Sequence, residues 1–305
     1  MTTRPLVLKA AKLPDEIVSA LCASLEVVEL PEDDGEIAAL LQTCGSRIRG
    51  IAVRKREIRA ALLDRLPALE IVASYSAGLE NVDTEHCRQS GITVTNTSHI
   101  LAEEVANLTV LHCLAVTRQL VRAHEFVRSE AWTHGQFPLT HSLSGMEVGI
   151  VGLGHIGKAI ARRLEVMGAR VSYYGPRKKS VELPYFDSPE ALAEATQMLV
   201  VSCPLSGATR GLVSREVIAA LGPDGYLVNI SRGPIVDEDG LIAALEAKQL
   251  AGAALDVFEH EPHVPEALRT HPSVILTPHI GSGTEETRRQ MGLSMVQSLR
   301  EALGA

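Results

Sequence analysis

The chain has 305 residues, of which 46% are hydrophobic and 22% charged, and a formal net charge of -8. This length exceeds a typical domain of roughly 100 to 200 residues and predicts two domains, each with its own core. The acidic balance argues against nonspecific nucleic-acid binding. No apolar run approaches the roughly 20 residues of a membrane span, and MTTRPLVLKA lacks signal-peptide features, so we expect a cytoplasmic protein without a membrane segment.

The cysteines argue against a disulfide scaffold and against a zinc site. Five are present, an odd number, and none has C-x-x-C spacing. We expect most of them to be buried thiols and predict no metal site. The five are Cys22, Cys44, Cys87, Cys113 and Cys203.

The first third of the chain alternates short β-like runs with helical segments, a pattern typical of a parallel sheet covered by helices. The β-like runs are LVLKA (6–10), EVVEL (26–30), GIAVR (50–54), EIVASY (70–75) and GITVTN (91–96). Ser76, Ala77 and Gly78 follow one of these runs, where backbone N–H groups can hold a carboxylate. From spacing alone a plain turn is the more common interpretation.

The next segment predicts one long helix from Leu101 to about Ser129, since its apolar residues recur at steps of three and four. An irregular connection follows over 131–144. It contains Trp132, the single tryptophan, for which packing within the chain is the commoner case and packing on a partner subunit the alternative.

The stretch EVGIVGLGHIG (147–157) ends an apolar run in Gly152, Gly154 and Gly157 and leads into a helical segment. In a dinucleotide-binding turn, such glycines allow a tight turn, close approach of a pyrophosphate and close helix packing, with the phosphates over the helix N-terminus. The motif alone is weakly specific, because any glycine-rich turn between a strand and a helix produces it. The residues that follow the motif therefore decide whether it marks a dinucleotide-binding turn.

A second alternating series follows the glycine turn, with β-like runs at 169–175, 198–204, 226–233, 251–258 and 273–279 and a final helix over 284–305. The pattern predicts an α/β protein with two Rossmann-like parallel-sheet domains and a cleft between them. We predict a flavodoxin-like substrate domain formed by 1–99 and 284–305. A dinucleotide-binding domain would span 100–283.

The end of the second strand in this series bears on cofactor choice. An acidic residue there hydrogen-bonds the adenosine ribose of NAD, whereas this chain has Gly175, followed by Pro176, Arg177, Lys178 and Lys179. Nothing in this stretch repels a 2'-phosphate, and the basic side chains can pair with it. We predict that NADPH is preferred over NADH; a solvated basic loop is the alternative.

Three ionisable residues follow successive β-like runs: Arg232, Glu261 and His279. Parallel strands end at one edge of a sheet, so these side chains are expected to converge there. Reduction of a ketone needs a proton donor, a group that keeps this donor protonated and an anchor for the substrate, which His279, Glu261 and Arg232 can supply in that order. Singly, they could instead be a histidine with satisfied hydrogen bonds, an exposed loop acid and a phosphate contact.

The runs GLGHIG, NISRGPIVDEDGLIAAL, AGAALDVFEHEP and TPHIGSGTEETR resemble, in order and spacing, those of the D-isomer-specific 2-hydroxyacid dehydrogenases. The resemblance covers nearly the whole chain and is closest to the NADPH-dependent glyoxylate/hydroxypyruvate reductase branch. Asn107 and the SGT at 282–284 depart from that branch and leave the substrate preference open.

The resemblance implies a set of roles. Arg232 binds substrate, His279 is the acid/base, Glu261 is its partner, and Ala77 and Gly78 supply N–H groups to the substrate carboxylate. The implied cofactor contacts are Gly152, Gly154, His155, Ile156, Gly157, Gly175, Arg177, Lys178, Pro204, Thr209, Ile230, Asp256, His279 and Gly281, with Asp256 at the nicotinamide carboxamide. A homodimer is also implied.

These features predict hydride transfer from NADPH to a small 2-keto acid while protonated His279 delivers a proton to the carbonyl oxygen. A dinucleotide-sensing regulator of the corepressor type is the alternative from another class, and the intact trio disfavours it. Phosphoglycerate dehydrogenase is a further alternative. A formate dehydrogenase is disfavoured, since that group pairs its histidine with Gln where this chain has Glu261.

Overall fold

A computed structural model describes residues 4–305 and shows an α/β protein whose chain forms two compact units. The first unit contains the chain up to Leu101 together with Thr284–Ala305, and the second is Ala102–Gly283. The predicted boundaries followed residues 99 and 283; the observed ones follow residues 101 and 283. The predicted α/β class with two parallel sheets is confirmed.

The first unit is built on a five-stranded sheet in which every strand pair is parallel. The strand order is β2-β1-β3-β4-β5. The strands are β1 (Leu6–Ala10), β2 (Glu26–Glu29), β3 (Ile48–Val53), β4 (Ile71–Ser74) and β5 (Thr93–Thr95), and the helices between them are α1 (Asp15–Ser24), α2 (Asp34–Cys44), α3 (Ala60–Leu63) and α4 (Thr84–Gln89).

The central strands of this sheet are buried on both faces, as their continuous apolar sequences require. All four residues of β4 and all but one each of β1 and β3 are buried. Such strands are typical of parallel sheets with helices on both sides, because neither face meets water.

Two helices lead into the second unit, α5 (Ser98–Thr117) and α6 (Leu120–Arg128), where the sequence predicted one. That prediction is wrong at Gln119, whose backbone has a φ of 50°, in the left-handed region that ends a helix. The two helices also differ in burial. Helix α5 contributes ten buried residues to the protein interior, whereas α6 contributes none.

Among residues 4–305, α5 is the one helix long and apolar enough to cross a membrane, with a mean hydropathy of 1.4. About half of it, 56%, is buried inside the protein. A buried core helix has the same length and composition, so these two properties are weak evidence for a membrane span.

The second unit contains a seven-stranded parallel sheet with the order β12-β11-β10-β9-β6-β7-β8. Its strands are β6 (Glu147–Val151), β7 (Arg170–Tyr174), β8 (Tyr185–Phe186), β9 (Met198–Val201), β10 (Tyr226–Asn229), β11 (Gly252–Leu255) and β12 (Val274–Leu276). The helices are α7 (His155–Val166), α8 (Pro189–Glu194), α9 (Arg215–Ala220), α10 (Glu238–Glu246) and α11 (Glu266–Thr270). The two-residue edge strand β8 was not predicted.

The final helix, α12 (Glu285–Leu303), belongs to the first unit and packs on α1, β3 and β4. Two glycines permit this contact. A Cβ at Gly50 would lie 2.9 Å from a methyl group of Leu299, and one at Gly292 would lie 2.5 Å from Ile17. The hydroxyl group of Tyr75 also donates to the carbonyl oxygen of Arg288 at 2.8 Å.

All five cysteines are free thiols. Four are buried, in agreement with the expectation from the sequence, and Cys22 is exposed.

Candidate active site

The glycine turn joins β6 to α7, and two of its glycines have no room for a side chain. Gly152 has a φ of 98°, and a Cβ there would lie 2.7 Å from the backbone of Cys203. A Cβ at Gly157 would lie 2.2 Å from the carbonyl oxygen of Gly152. The helix therefore begins directly against the turn, which only glycine permits.

The third glycine, Gly154, faces open space, since a Cβ built on it meets no atom within 4 Å. It precedes α7 as the N-cap and contributes no side-chain acceptor to the first N–H groups of the helix. His155 is exposed and Ile156 half-buried at this helix start. An open helix N-terminus with free N–H donors fits the pyrophosphate of a dinucleotide.

The basic segment after β7 is attached to the glycine turn. Lys179 donates from Nζ to the carbonyl oxygen of Leu153 at 2.6 Å, and from its backbone N–H to the hydroxyl group of Tyr173 at 2.7 Å. Arg177 and Lys178 are exposed and form no ion pair with any residue between 4 and 305. Their positive charges are thus available to an anion.

The loop after β9 carries two predicted cofactor contacts, Pro204 and Thr209. Thr209 closes the loop on itself, because its hydroxyl group donates to the Pro204 carbonyl oxygen at 2.7 Å and accepts from the N–H of Ser206 at 2.7 Å. Pro204 is exposed. A cofactor contact at either residue stays a prediction.

Arg232 lies in a turn after β10 that a buried asparagine shapes. The side chain of Asn229, 1% exposed, donates to the carbonyl oxygen of Arg232 at 3.0 Å and accepts from the N–H of Ser231 at 3.0 Å. Gly233 packs so closely on the loop after β11 that a Cβ would lie 1.9 Å from the carbonyl carbon of Phe258. This contact fixes the turn against the loop that follows the neighbouring strand.

His279 and Glu261, which follow two different strands and are 18 positions apart, are brought together as the sequence predicted. Nδ1 of His279 lies 2.8 Å from Oε2 of Glu261, and the other carboxylate oxygen accepts from the N–H of Phe258 at 3.3 Å. Because a carboxylate only accepts hydrogen bonds, Nδ1 donates and Nε2 is left to exchange a proton with a ligand. The side chains are 44% and 36% exposed, so the pair is open to solvent.

Asp256 is buried at the end of β11, with 1% exposure, and it organises the segment that carries His279. Its carboxylate accepts from the N–H of Ile280 and of Gly281 at 2.8 Å each and from the hydroxyl group of Thr277 at 2.6 Å. The predicted contact of Asp256 with a nicotinamide carboxamide stays a prediction, as does that of Ile230, which is 6% exposed.

Sequence reasoning missed three polar residues that build this edge of the sheet, namely Asn229, Thr277 and His112. Asn229 ends a buried strand, and a polar amide side chain at that position could have indicated a structural or functional role. The hydroxyl group of Thr277 lies 3.0 Å from Nε2 of His112 on α5. Nothing in the spacing of the sequence links these two residues, which are 165 positions apart.

The loop at Ala77 and Gly78 lies in the first unit, after β4. Its carbonyl groups are occupied, because Asn96 donates to Ala77 at 3.1 Å and Ser76 donates to Gly78 at 3.0 Å. The N–H groups of Ala77 and Gly78 have no acceptor among residues 4–305. This arrangement leaves the donors of the loop for an anion.

In the second unit, the helix start that fits a pyrophosphate lies on the same sheet edge as a histidine oriented by a carboxylate, since all strands of this sheet are parallel. These features define a nicotinamide-dependent oxidoreductase. The chain belongs to the D-isomer specific 2-hydroxyacid dehydrogenase family, whose NAD binding domain matches residues 110–281.

Relatives agree with this assignment. The chain is 46% identical over 266 residues to glyoxylate/hydroxypyruvate reductase A of Arabidopsis thaliana, covering 87% of this chain and 85% of the relative. It is 48% identical over 241 residues to hydroxyphenylpyruvate reductase of Plectranthus scutellarioides, covering 79% and 77%.

A solved structure is also similar over most of its length. The NADPH-dependent glyoxylate/hydroxypyruvate reductase of Sinorhizobium meliloti, in complex with NADP and malonate, superposes with a TM-score of 0.88 at 39% identity. The match covers 98% of this chain and 93% of that one.

Proposed function

We propose that the chain catalyses NADPH-dependent reduction of a small 2-keto acid, such as glyoxylate or hydroxypyruvate, to the D-2-hydroxy acid. The observation that carries the proposal is the hydrogen bond between His279 and Glu261 at the sheet edge that also bears the glycine turn. The activities of the similar reductases support the choice of substrate class.

The bound nicotinamide would supply the hydride, and residues of the chain would bind the substrate and supply the proton. His279 delivers the proton from Nε2 to the carbonyl oxygen, while Glu261 holds the ring by Nδ1 and favours its protonated form. In the second unit, Arg232 is the residue proposed to bind the substrate carboxylate. In the first unit, the N–H groups of Ala77 and Gly78 are donors of the kind that a carboxylate accepts from. One keto acid, one hydride and one proton give one hydroxy acid.

Cofactor preference follows from the end of β7. Gly175 has no carboxylate to repel a 2'-phosphate, and the unpaired charges of Arg177 and Lys178 attract it. Lys179 joins this segment to the glycine turn and so supports a phosphate site beside the pyrophosphate site. These features favour NADPH over NADH.

The preference is tested with the double variant Gly175→Asp and Arg177→Ala. A Cβ at Gly175 meets nothing nearer than 4.0 Å, so the first atom of the new side chain clashes with no neighbour. The ratio of kcat/KM for NADPH to that for NADH should fall by a factor of about 100, equivalent to one lost attraction and one added repulsion on the 2'-phosphate. Arg300→Ala, which removes an exposed charge in the first unit, is the control; an unchanged ratio in the double variant would refute the assignment.

A keto acid with a second anionic group, as in the phosphoglycerate dehydrogenase alternative, is favoured by one observation. Arg54 lies beside the Ala77 loop, since the N–H of Tyr75 donates to the carbonyl oxygen of Val53 at 2.7 Å. Its guanidinium lies 5.5 Å from the centre of the Tyr75 ring. Burial lowers the pKa of Arg288, and the positive charge of Arg54 lowers it further.

Neither Arg54 nor Arg288 has a carboxylate partner among residues 4–305. Two partly buried guanidinium groups without an acid attract an anion. Rates with 3-phosphohydroxypyruvate and with hydroxypyruvate, measured for Arg54→Met and for the exposed neighbour variant Lys55→Met, separate the two substrates. Selective loss of the phosphorylated substrate in Arg54→Met alone would establish this second candidate.

A homodimer is proposed from the apolar side chains that α5, α6 and the connection after them expose. They are Leu111, Leu120, Val121, Val127, Trp132 and Leu139, of which Trp132 is 64% and Leu139 100% exposed. The exposed Trp132 is not a core residue of its own chain, which favours the partner-subunit interpretation. Light scattering of the wild type and of Trp132→Glu tests this; a monomeric wild type refutes it.

The test of the whole proposal is an initial-rate panel of glyoxylate, hydroxypyruvate, pyruvate and phenylpyruvate, each with NADPH and NADH. Turnover of a small keto acid with NADPH is the expected result. Tight NADPH binding without turnover of any keto acid would refute the proposal in favour of a dinucleotide sensor.

A further inference from the structure

Behind the segment that carries His279 lies a buried set of polar side chains, which we call the His112 network: His112, Thr277 and Asp256. His112 and Asp256 are each 1% exposed. Nε2 of His112 lies 3.0 Å from the Thr277 hydroxyl oxygen, and that hydroxyl group donates to Asp256 at 2.6 Å. The network thus runs without interruption from helix α5 to the end of strand β11.

The positions of the protons in the His112 network follow from its acceptors. A threonine hydroxyl group has one hydrogen, and here Asp256 takes it, since a carboxylate can only accept. The Thr277 oxygen must therefore accept from His112, which places the imidazole hydrogen on Nε2. Nδ1 of His112 is buried and has no partner among residues 4–305, so the ring makes this one polar contact.

The network ends on the backbone around His279. Asp256 binds this segment at three successive residues: its carbonyl oxygen accepts from the N–H of His279 at 2.8 Å, and its carboxylate accepts from Ile280 and Gly281. His279 has a φ of 53°, in the left-handed region. Such a conformation in a residue other than glycine costs roughly 1 to 3 kcal/mol and persists only where surrounding contacts fix it.

Two further contacts place α5 against the same segment. A Cβ at Gly281 would lie 3.4 Å from a methyl group of Val105, which precedes His112 by two helical turns. Thr109, between them, uses its hydroxyl group within the helix, donating to the carbonyl oxygen of Val105 at 2.7 Å. Among these residues of the helix face, only His112 therefore offers a hydrogen bond to the segment.

We propose that His112 is a positioning residue for the reaction: its Nε2–H orients the Thr277 hydroxyl group toward Asp256, and Asp256 fixes the backbone that presents His279. The inference rests on the proposed role of His279 as proton donor. It requires a donor at the place of Nε2, which a side chain that merely fills space does not supply.

The test uses three replacements that differ in where they can donate. The amide nitrogen of His112→Gln reaches the place of Nε2, that of His112→Asn reaches only the place of Nδ1, and His112→Leu keeps volume without a donor. We expect His112→Gln to keep kcat within about threefold and the other two to lose about tenfold, the equivalent of one hydrogen bond. The Kd for NADPH should change less than kcat.

Cys113→Ala is the matched control, because Cys113 is the neighbouring residue on α5 and is fully buried. It should lower thermal stability without the loss of kcat seen in His112→Leu. Hydrogen exchange of the Ile280 and Gly281 amides gives a readout that needs no turnover, and it should accelerate at least tenfold in His112→Leu and not in His112→Gln.

Equal exchange and equal kcat in the Gln and Leu variants would overturn the inference, whichever keto acid the enzyme reduces. A wild type without turnover, combined with exchange that still separates Gln from Leu, would overturn the reductase proposal and leave the positioning of the segment by His112 supported.

Discussion

His279 lies in the segment Thr277–Gly281 and His112 bonds to Thr277 of the same segment, but the surroundings of the two side chains are opposite. The His279 side chain is 44% exposed and bonded to a carboxylate, whereas His112 is 1% exposed and bonded to a hydroxyl group. Exchange of a proton needs access to water and to substrate, and fixed geometry needs their exclusion. The two environments therefore suit the two roles proposed for these histidines, proton exchange for His279 and fixed geometry for His112.

The largest effect is expected for His279→Gln, which removes the proton donor and keeps the shape of the side chain. We expect kcat to fall about a thousandfold, within the usual range for general acid catalysis, while the Kd for NADPH changes little. Steady-state rates with glyoxylate and fluorescence titration with NADPH measure the two quantities. Near-normal turnover would show that His279 is not the proton donor. The two histidines would then not differ in function as proposed.

A smaller effect is expected for Glu261→Gln, which keeps the size of the side chain but removes the charge that holds Nδ1 of His279. A charge-assisted hydrogen bond contributes about 1.5 to 3 kcal/mol, so kcat should fall roughly tenfold to a hundredfold. The exposed carboxylate of Glu259 provides a control, Glu259→Gln, for loss of charge in the same loop. Equal rates in both variants would show that Glu261 does not orient the ring.

The buried histidine should appear in the pH dependence of stability. Burial lowers the pKa of His112 below its ordinary value of 6.5, and the charge of Asp256 opposes this only in part. The unfolded chain therefore takes up a proton first as the pH falls, so the stability contributed by neutral His112 is fully present above pH 6.5 and is lost below it. One proton changes the free energy of unfolding by at most about 1.4 kcal/mol per pH unit.

Urea unfolding of the wild type and of His112→Gln at pH 7.5, 6.5 and 5.5 tests whether stability falls with falling pH because of His112. The wild type should lose more stability than the variant on acidification. A parallel loss in both would show that the imidazole of His112 titrates alike in the native and unfolded chain.

The smallest effect concerns the reactivity of the Cys113 thiol, the residue next to His112. Its reactivity shows whether the surroundings of the His112 network exclude solvent. Burial raises the pKa of Cys113 to about 12 and that of Cys203 to about 11, so neither forms a thiolate near neutral pH. A thiol reagent at pH 7.5 should modify exposed Cys22 quickly and all five cysteines only after unfolding. Rapid reaction of Cys113 in the native protein would show that solvent reaches the surroundings of the His112 network.

The strands and the His279–Glu261 pair followed from the sequence because parallel strands bring their carboxyl ends to one edge. Residues that follow such strands, as Glu261 and His279 do, can be placed together without knowing any loop. The family motifs added Ala77 and Gly78, whose unpaired N–H groups fit the role that the resemblance implied. Periodicity and strand-end placement were sufficient for the strands and for the His279–Glu261 pair, whereas Ala77 and Gly78 needed the family motifs.

The His112 network could not be found this way. Its members lie on a helix, at the end of β11 and after β12, and hydrogen-bond partners between such elements depend on helix rotation, which hydrophobic periodicity sets only coarsely. The break at Gln119 was missed for a related reason, since no proline or glycine marks it and a single left-handed residue ends the helix. Contacts between distant elements decided both features.

The packing of α12 imposes an order on the formation of the protein during synthesis. Gly50, Ile17 and Tyr75 all contact this helix, so the sheet of the first unit keeps uncovered apolar surface until residues 285–303 have left the ribosome. By then every residue of the second unit has been made. The sheet of the first unit, although its strands are made first, can therefore be covered by α12 only after the whole second unit has been synthesised.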